Sequence, residues 1–173
     1  MADNRAQEAY DLAFRYEREI GACAQPVIKA LQEVYGEKDD GAFRGLTGFS
    51  AGGANETDGI CGAYAAGIFY ISQRFSRSMD DLNADDTDPK AIKNLLNNLD
   101  IVKRLHDRFL EEYGSLLCQD ILRKNYGRPY YIRDADEFSK FDAAGAHEWG
   151  ETKVCGNAAK WTVEILESLE NKE

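Results

Sequence analysis

The chain has 173 residues, 31 acidic and 21 basic, for a formal net charge of −10 and a sequence pI of about 4.8. That length suits one helical domain with a core of its own over 1–173, and 43% apolar residues exclude a disordered chain. The acidic balance argues against a nucleic-acid partner and against an anionic membrane surface.

The N-terminal stretch MADNRAQEAY lacks the basic and apolar regions of a signal peptide. No apolar run approaches the roughly 20 residues of a membrane span. A soluble cytoplasmic protein is the resulting expectation, and a homo-oligomer is compatible with it. Asn4 and Gln7 stand at capping-box spacing, ahead of an apolar stripe of Ala9, Leu12, Ala13, Tyr16 and Ile20. Gly21 weakens that helix. Pro26 belongs in the first turn of a second helix, whose buried face is Val27, Ile28, Leu31, Val34 and Tyr35, with Gly36 at its end. Residues 41–59 hold six glycines without a long period, which predicts a loop with one short turn near Phe43.

Asp58 is placed to cap a third helix over about 59–75, rich in Gly62, Ala63, Ala65, Ala66 and Gly67. Residues that small let a backbone or a cofactor approach closely. The acidic segment 80–88 reads as a solvated turn. Asp88-Pro89 then starts the longest helix, about 89–113, with the stripe Ile92, Leu95, Leu96, Leu99, Val102, Leu105, Phe109 and Tyr113. Ser115 opens a short helix through Leu122, residues 127–150 read as an ordered loop with one short helix, and Thr152 opens the last helix. Helices are expected to stop at Tyr35-Gly36, Tyr113-Gly114 and Tyr126-Gly127. With scarce strand alternation and three prolines, the reading is all-α, a single-domain bundle of five or six helices with a Gly-rich loop.

Cys23, Cys61, Cys118 and Cys155 stand 37 to 57 residues apart. A reducing cytoplasm disfavours structural disulfides, so these are core thiols, a metal site or a redox site. Asp58, Ser115 and Thr152 each precede a cysteine by three residues, which predicts N-caps with Cys61, Cys118 and Cys155 in first turns. Cys23 lacks such a cap but lies at the start of the Pro26 helix. A helix N-terminus carries about half a positive charge and unpaired N–H donors, both of which favour thiolate. The plain alternative is packing, since free cysteines are among the most buried residues.

The run Cys61-Gly62-Ala63-Tyr64-Ala65-Ala66-Gly67, with Cys23 in ACAQPVIKALQEVYG, Cys118 in EEYGSLLCQDIL and Cys155 in VCGNAAKWTVEIL, resembles the redox-active protein family named for the pattern C_GCAxxG_C_C. The resemblance covers about residues 20–170. It departs from the pattern in the acidic insert near 80–88 and in the long stretch between Cys118 and Cys155. That family is similar to a domain of split-Soret cytochromes in which an iron–sulfur cluster is bound. By that analogy the four cysteines are candidate ligands of an iron–sulfur cluster serving electron transfer or redox sensing, with a redox partner protein that the sequence does not name.

Iron–sulfur and zinc sites commonly use a CxxC pair. None occurs here, so any such site must be assembled by tertiary packing, and a zinc-nucleated minidomain is disfavoured. The alternatives are a thiol–disulfide oxidoreductase using one cysteine pair, and a helical interaction module with structural thiols; whether the chain is an enzyme stays open. Haem c attachment, a di-iron bundle and a P-loop lack their motifs. The Gly-rich 48–59 stretch could nest an anion, but Glu56 and Asp58 discourage phosphate, and close backbone packing is the simpler reading. His147 is a candidate proton donor or substitute ligand if it reaches the cysteines, though a loop histidine is ordinarily just solvated. Tyr64 and Tyr70 are candidates for the pocket or for the core.

Overall fold

The computed structural model describes residues 4–81 and 89–170. Eight α-helices lie among them: α1 (Arg5–Ile20), α2 (Ala24–Val34), α3 (Asp40–Gly45), α4 (Gly62–Phe75), α5 (Pro89–Tyr113), α6 (Cys118–Tyr126), α7 (Ala135–Ala143) and α8 (Glu151–Glu170). A 3₁₀ turn covers Leu46–Gly52 and a π turn covers Ala146–Gly150. The all-α class expected from the sequence is found. The helix count exceeds five or six because the short helices α3 and α7 occupy stretches that lack a long apolar period. Most of the acidic segment, 82–88, lies outside the described residues, as does the Asp88 start signal.

Local chemistry accounts for most helix ends. Asp39 caps α3 by accepting from the Ala42 N–H, and Asp134 caps α7 by accepting from Asp136 and Glu137. The three Tyr-Gly stops hold: Gly36, Gly114 and Gly127 all take positive φ, where glycine carries no Cβ penalty. The capping box does not form. Asn4 sits at the N-cap without a side-chain bond, and Gln7 instead donates to Asp11.

The core is built on α1 against α8, the most extensive helix pair, with α2 and α4 packed beside them and α5 covering α4 and α8. Ala9, Ala13 and Tyr16 of α1 meet Val27, Ile28 and Leu31 of α2 and Val154, Ala158 and Val163 of α8 in one apolar cluster. Phe109 lies at its aromatic centre, 5.2 Å from Tyr64 and 5.5 Å from Trp161 between ring centroids. Tyr64 and Tyr70 are therefore core residues, and the Tyr70 hydroxyl donates to the Leu31 carbonyl. A smaller cluster joins Cys118, Leu122, Tyr130, Phe141 and Ala146.

Gly67 shows why α4 is made of small residues. A Cβ there would stand 2.6 Å from Leu105 Cδ2 and 2.8 Å from Thr162 Oγ1. The space saved at Gly67 lets α4 seat against α5 and α8, the close helix approach that is one of the two uses expected of these small residues.

Candidate functional site

Four chain segments deliver the cysteines. Cys23 is the N-cap of α2, Cys61 the N-cap of α4, Cys118 the first residue of α6, and Cys155 the fifth residue of α8. Helix starts thus carry three of the four sulfurs, in a different register from the one read in the sequence. Asp58 is not a cap, because α4 begins at Gly62. Ser115 bonds the Leu117 N–H and the Asp120 carboxylate instead of capping α6 at N-cap position. Thr152 lies inside α8, fully buried, since the π turn feeds directly into that helix.

A short backbone clasp aligns two of the cysteines. Ile60 and Leu117 form an isolated antiparallel bridge. The Cys61 N–H donates to the Leu116 carbonyl at 2.8 Å, the Cys118 N–H to the Gly59 carbonyl at 3.0 Å, and the Gln119 N–H to the Thr57 carbonyl at 3.0 Å. Cys61 and Cys118 each follow a bridged residue on strands that run in opposite directions, so the clasp holds them diagonally, one on either side of the bridge. Gly59 and Gly52 permit it. A Cβ on Gly59 would fall 2.1 Å from the Gly52 carbonyl oxygen, and one on Gly52 3.0 Å from the Cys118 Cβ. The Gly-rich stretch is close packing, as the simpler reading had it.

The four thiols are free and buried, and Cys23 and Cys61 lie within electrostatic reach of each other. Cys23 and Cys61 each bear on both Cys118 and Cys155. The Cys155 sulfur stands 3.6 Å from the Cys23 carbonyl oxygen, and a Cβ on Gly62 would stand 2.6 Å from the Cys23 sulfur. Backbone N–H groups of Ala63 and Tyr64 donate to the Cys61 sulfur, and that of Ala51 to the Cys23 sulfur. Burial nevertheless dominates. It pushes the Cys61 thiol up to about 12 and raises Cys23, Cys118 and Cys155 well above the usual range. The expectation that helix starts would favour thiolate is corrected for the metal-free protein: loss of water outweighs the helix ends.

Two glutamates complete the pocket. Glu17 on α1 accepts hydrogen bonds from the Cys155 thiol and the Cys23 N–H, and burial raises it to about 8. Glu151, at the start of α8, is raised to about 7 by burial, against hydrogen bonds from Tyr126 and Asn125. Neither was singled out in the sequence, though a signal was present. Glu17 is four residues beyond Ala13 on the buried stripe of α1, and Glu151 is one turn before Cys155. The backbone adds a second missed signal: non-glycine residues with positive φ are Ala22, beside Cys23, and Ala51, Ala54, Asn55 and Thr57 in the segment against it.

Among the described residues, no three His, Cys, Asp or Glu side chains surround one point closely enough to hold a single metal ion. A cleft of about 360 Å³ opens from solvent onto Cys23 and Cys118, and Glu17, Glu151 and His147 line it. His147 thus reaches the cysteine region, with its Nδ1 2.7 Å from Asp142 Oδ1. No helix among the described residues is long and apolar enough to cross a membrane.

The family described as Putative redox-active protein (C_GCAxxG_C_C) matches over residues 22–169, a span that includes all four cysteines. No curated protein and no solved structure matches the chain.

Proposed function

The chain belongs to the C_GCAxxG_C_C family of redox-active proteins, and from that premise we propose that Cys23, Cys61, Cys118 and Cys155 act as one electron-handling centre, binding an iron–sulfur cluster. The observation that carries this reading is that four buried thiols, delivered by four separate segments, are linked through Cys23 and Cys61, each of which bears on the other and on both Cys118 and Cys155. The donor chemistry fits: four sulfurs, and N–H donors aimed at two of them, suit an anionic metal–thiolate group. Zinc fits less well, because a single ion needs its donors around one point.

When bound, such a cluster supplies one-electron transfer. The chain's own residues would hold and tune it. Ala51, Ala63 and Tyr64 N–H groups stabilise negative charge on sulfur. Glu17 accepts a hydrogen bond from the Cys155 thiol. The price of this arrangement is the proximity of two carboxyl groups to an anionic centre, which favours keeping them protonated.

A second reading, thiol–disulfide exchange, is favoured by the cleft, which gives a small external disulfide its first access at Cys23 and Cys118. In that step two protein thiols are oxidised to one disulfide. The two electrons and two protons pass to the external disulfide, which leaves as two thiols.

Anaerobic, iron-replete purification tests the lead reading. Iron and acid-labile sulfide should co-purify with visible absorption, and each single Cys→Ser variant should lose most of the iron. Iron-free, colourless protein from that preparation overturns it. Reversible loss of two thiols on mild oxidation would then carry the second reading, and no loss would remove both.

A further inference from the structure

The exposed apolar side chains of α5 follow a pattern. Ile92, Leu96 and Leu99 are 44%, 55% and 52% exposed, and they recur at intervals of four and three residues. That is the spacing of a seam between two paired helices. The stripe lies beside the buried line of Ala91, Asn98, Ile101 and Leu105, with which α5 packs on its own bundle. A shallow groove runs along it, lined by Pro89, Ile92, Lys93, Leu96, Asn97 and Asp100. Exposed apolar residues in register on one face mark an interaction surface, where solitary ones do not.

The charges beside the stripe say what covers it. The chain carries a net charge of −10, yet this groove holds one Lys and one Asp, so a second copy meets no local repulsion there. Lys93 has Pro89, Lys90, Leu96 and Asn97 as its neighbours three and four residues away, none of them acidic. The bases near Asp100 are engaged elsewhere, Lys103 with Asp107 and Arg104 with Ser168. Lys93 and Asp100 stand about 10 Å apart along the helix, too far to meet each other. Let a copy of α5 run antiparallel about a twofold axis beside Leu96. Leu96 then meets its own counterpart, Ile92 comes level with Leu99 of the second copy, and Lys93 with Asp100 of the second copy. The apolar and the charged pairings share one centre, to within a residue of Leu96. A parallel arrangement sets lysine level with lysine and aspartate with aspartate, which is repulsive.

We propose that the Ile92–Leu96–Leu99 stripe is the contact face of an antiparallel, reversible dimer of this chain, flanked by two symmetric Lys93–Asp100 pairs. Only residues 89 to about 103 overlap, about 22 Å of helix. That seam is smaller than a permanent interface requires, so the dimer is weak and forms at high concentration. The surface pairs fix its direction and add little to its affinity.

Sedimentation equilibrium of the full reduced chain, at low ionic strength and up to about 1 mM, tests this. A monomer–dimer equilibrium is expected, and Leu96→Glu should abolish it while the thermal melt stays cooperative. Lys93→Glu and Asp100→Lys should each weaken the dimer by about fivefold or more, and the two together should restore it to within about twofold of the starting affinity. The single changes move the net charge in opposite directions, so repulsion between whole molecules would weaken one dimer and strengthen the other. Both charged positions are exposed, so the reversals decide the matter even where Leu96→Glu fails to fold. The proposal is overturned by a monomer at every concentration, or by a dimer that survives a folded Leu96→Glu. Single reversals that act in opposite senses or not at all overturn it too, as does a double reversal no tighter than the singles.

Discussion

Gly62 and Gly67 are both glycines of the CGAYAAG run, yet they do different things. A methyl group at Gly62 would press on the Cys23 sulfur and, at 2.5 Å, on the Phe49 carbonyl oxygen. One at Gly67 would press on Leu105 and Thr162, away from the sulfurs. Gly62→Ala and Gly67→Ala are each expected to cost about 1–3 kcal/mol in urea unfolding, the range for overpacking. Only Gly62→Ala should also change the native alkylation rate of Cys23, read by mass spectrometry; equal rates in the two variants would contradict the contact. At this scale the cysteines were legible from their order and flanking residues, while Glu17 went unread although it stands on the buried face of α1. The protonation of the thiols was not. A helix end is worth about 0.3–1 kcal/mol to a nearby charge. Burial of an ionisable group shifts its pKa by as much as about 3–5 units, and burial is a tertiary property that no local window contains.

The longest helix was read to its boundaries, Pro89–Tyr113, but its facing was read only in part. The buried line is Ala91, Asn98, Ile101, Leu105, Phe109 and Tyr113, so the C-terminal half of the expected stripe holds. In the N-terminal half Ile92, Leu96 and Leu99 are exposed, while Asn98 points inward and donates to Ser72 Oγ at 3.1 Å. A ladder of leucines does not by itself say which of two adjacent faces meets the core, and here a polar residue took the inner place by finding a partner on α4. Leu96→Glu should therefore move the unfolding free energy by no more than about 0.5 kcal/mol, against about 2–5 kcal/mol for Leu105→Ala. Comparable losses from the two changes, measured by denaturant titration, would place Leu96 in the core after all.

For the molecule as a whole, two largely buried carboxyl groups, one on α1 and one at the start of α8, couple folding to pH. Glu17 and Glu151 titrate near 8 and 7 in the folded chain, against about 4.5 when exposed. Between pH 4.5 and 8 the folded state therefore holds more protons than the unfolded one, and stability falls as pH rises through that window. The reduced, metal-free protein should be more stable at pH 5 than at pH 8.5, by an amount on the order of a few kcal/mol. Glu17→Gln and Glu151→Gln should each flatten the profile in urea titrations, and a flat wild-type profile would show that these groups are wet. The all-α class and the helix stops were legible because they follow from local periods and turn chemistry. The assembly of the pocket was not, because it depends on which helix starts the packing of α1, α2, α4 and α8 brings together.

The clasp between Ile60 and Leu117 has a bearing on how this chain can vary. Because main-chain bonds hold Cys61 and Cys118 on either side of it, the excursion of the polypeptide between them begins and ends at the same bridge. Segments threaded into that excursion, such as the acidic stretch after residue 80, can lengthen or shrink without dragging the sulfurs apart. Kinship among such chains should then show in the succession of their cysteines, with the intervals between them drifting freely.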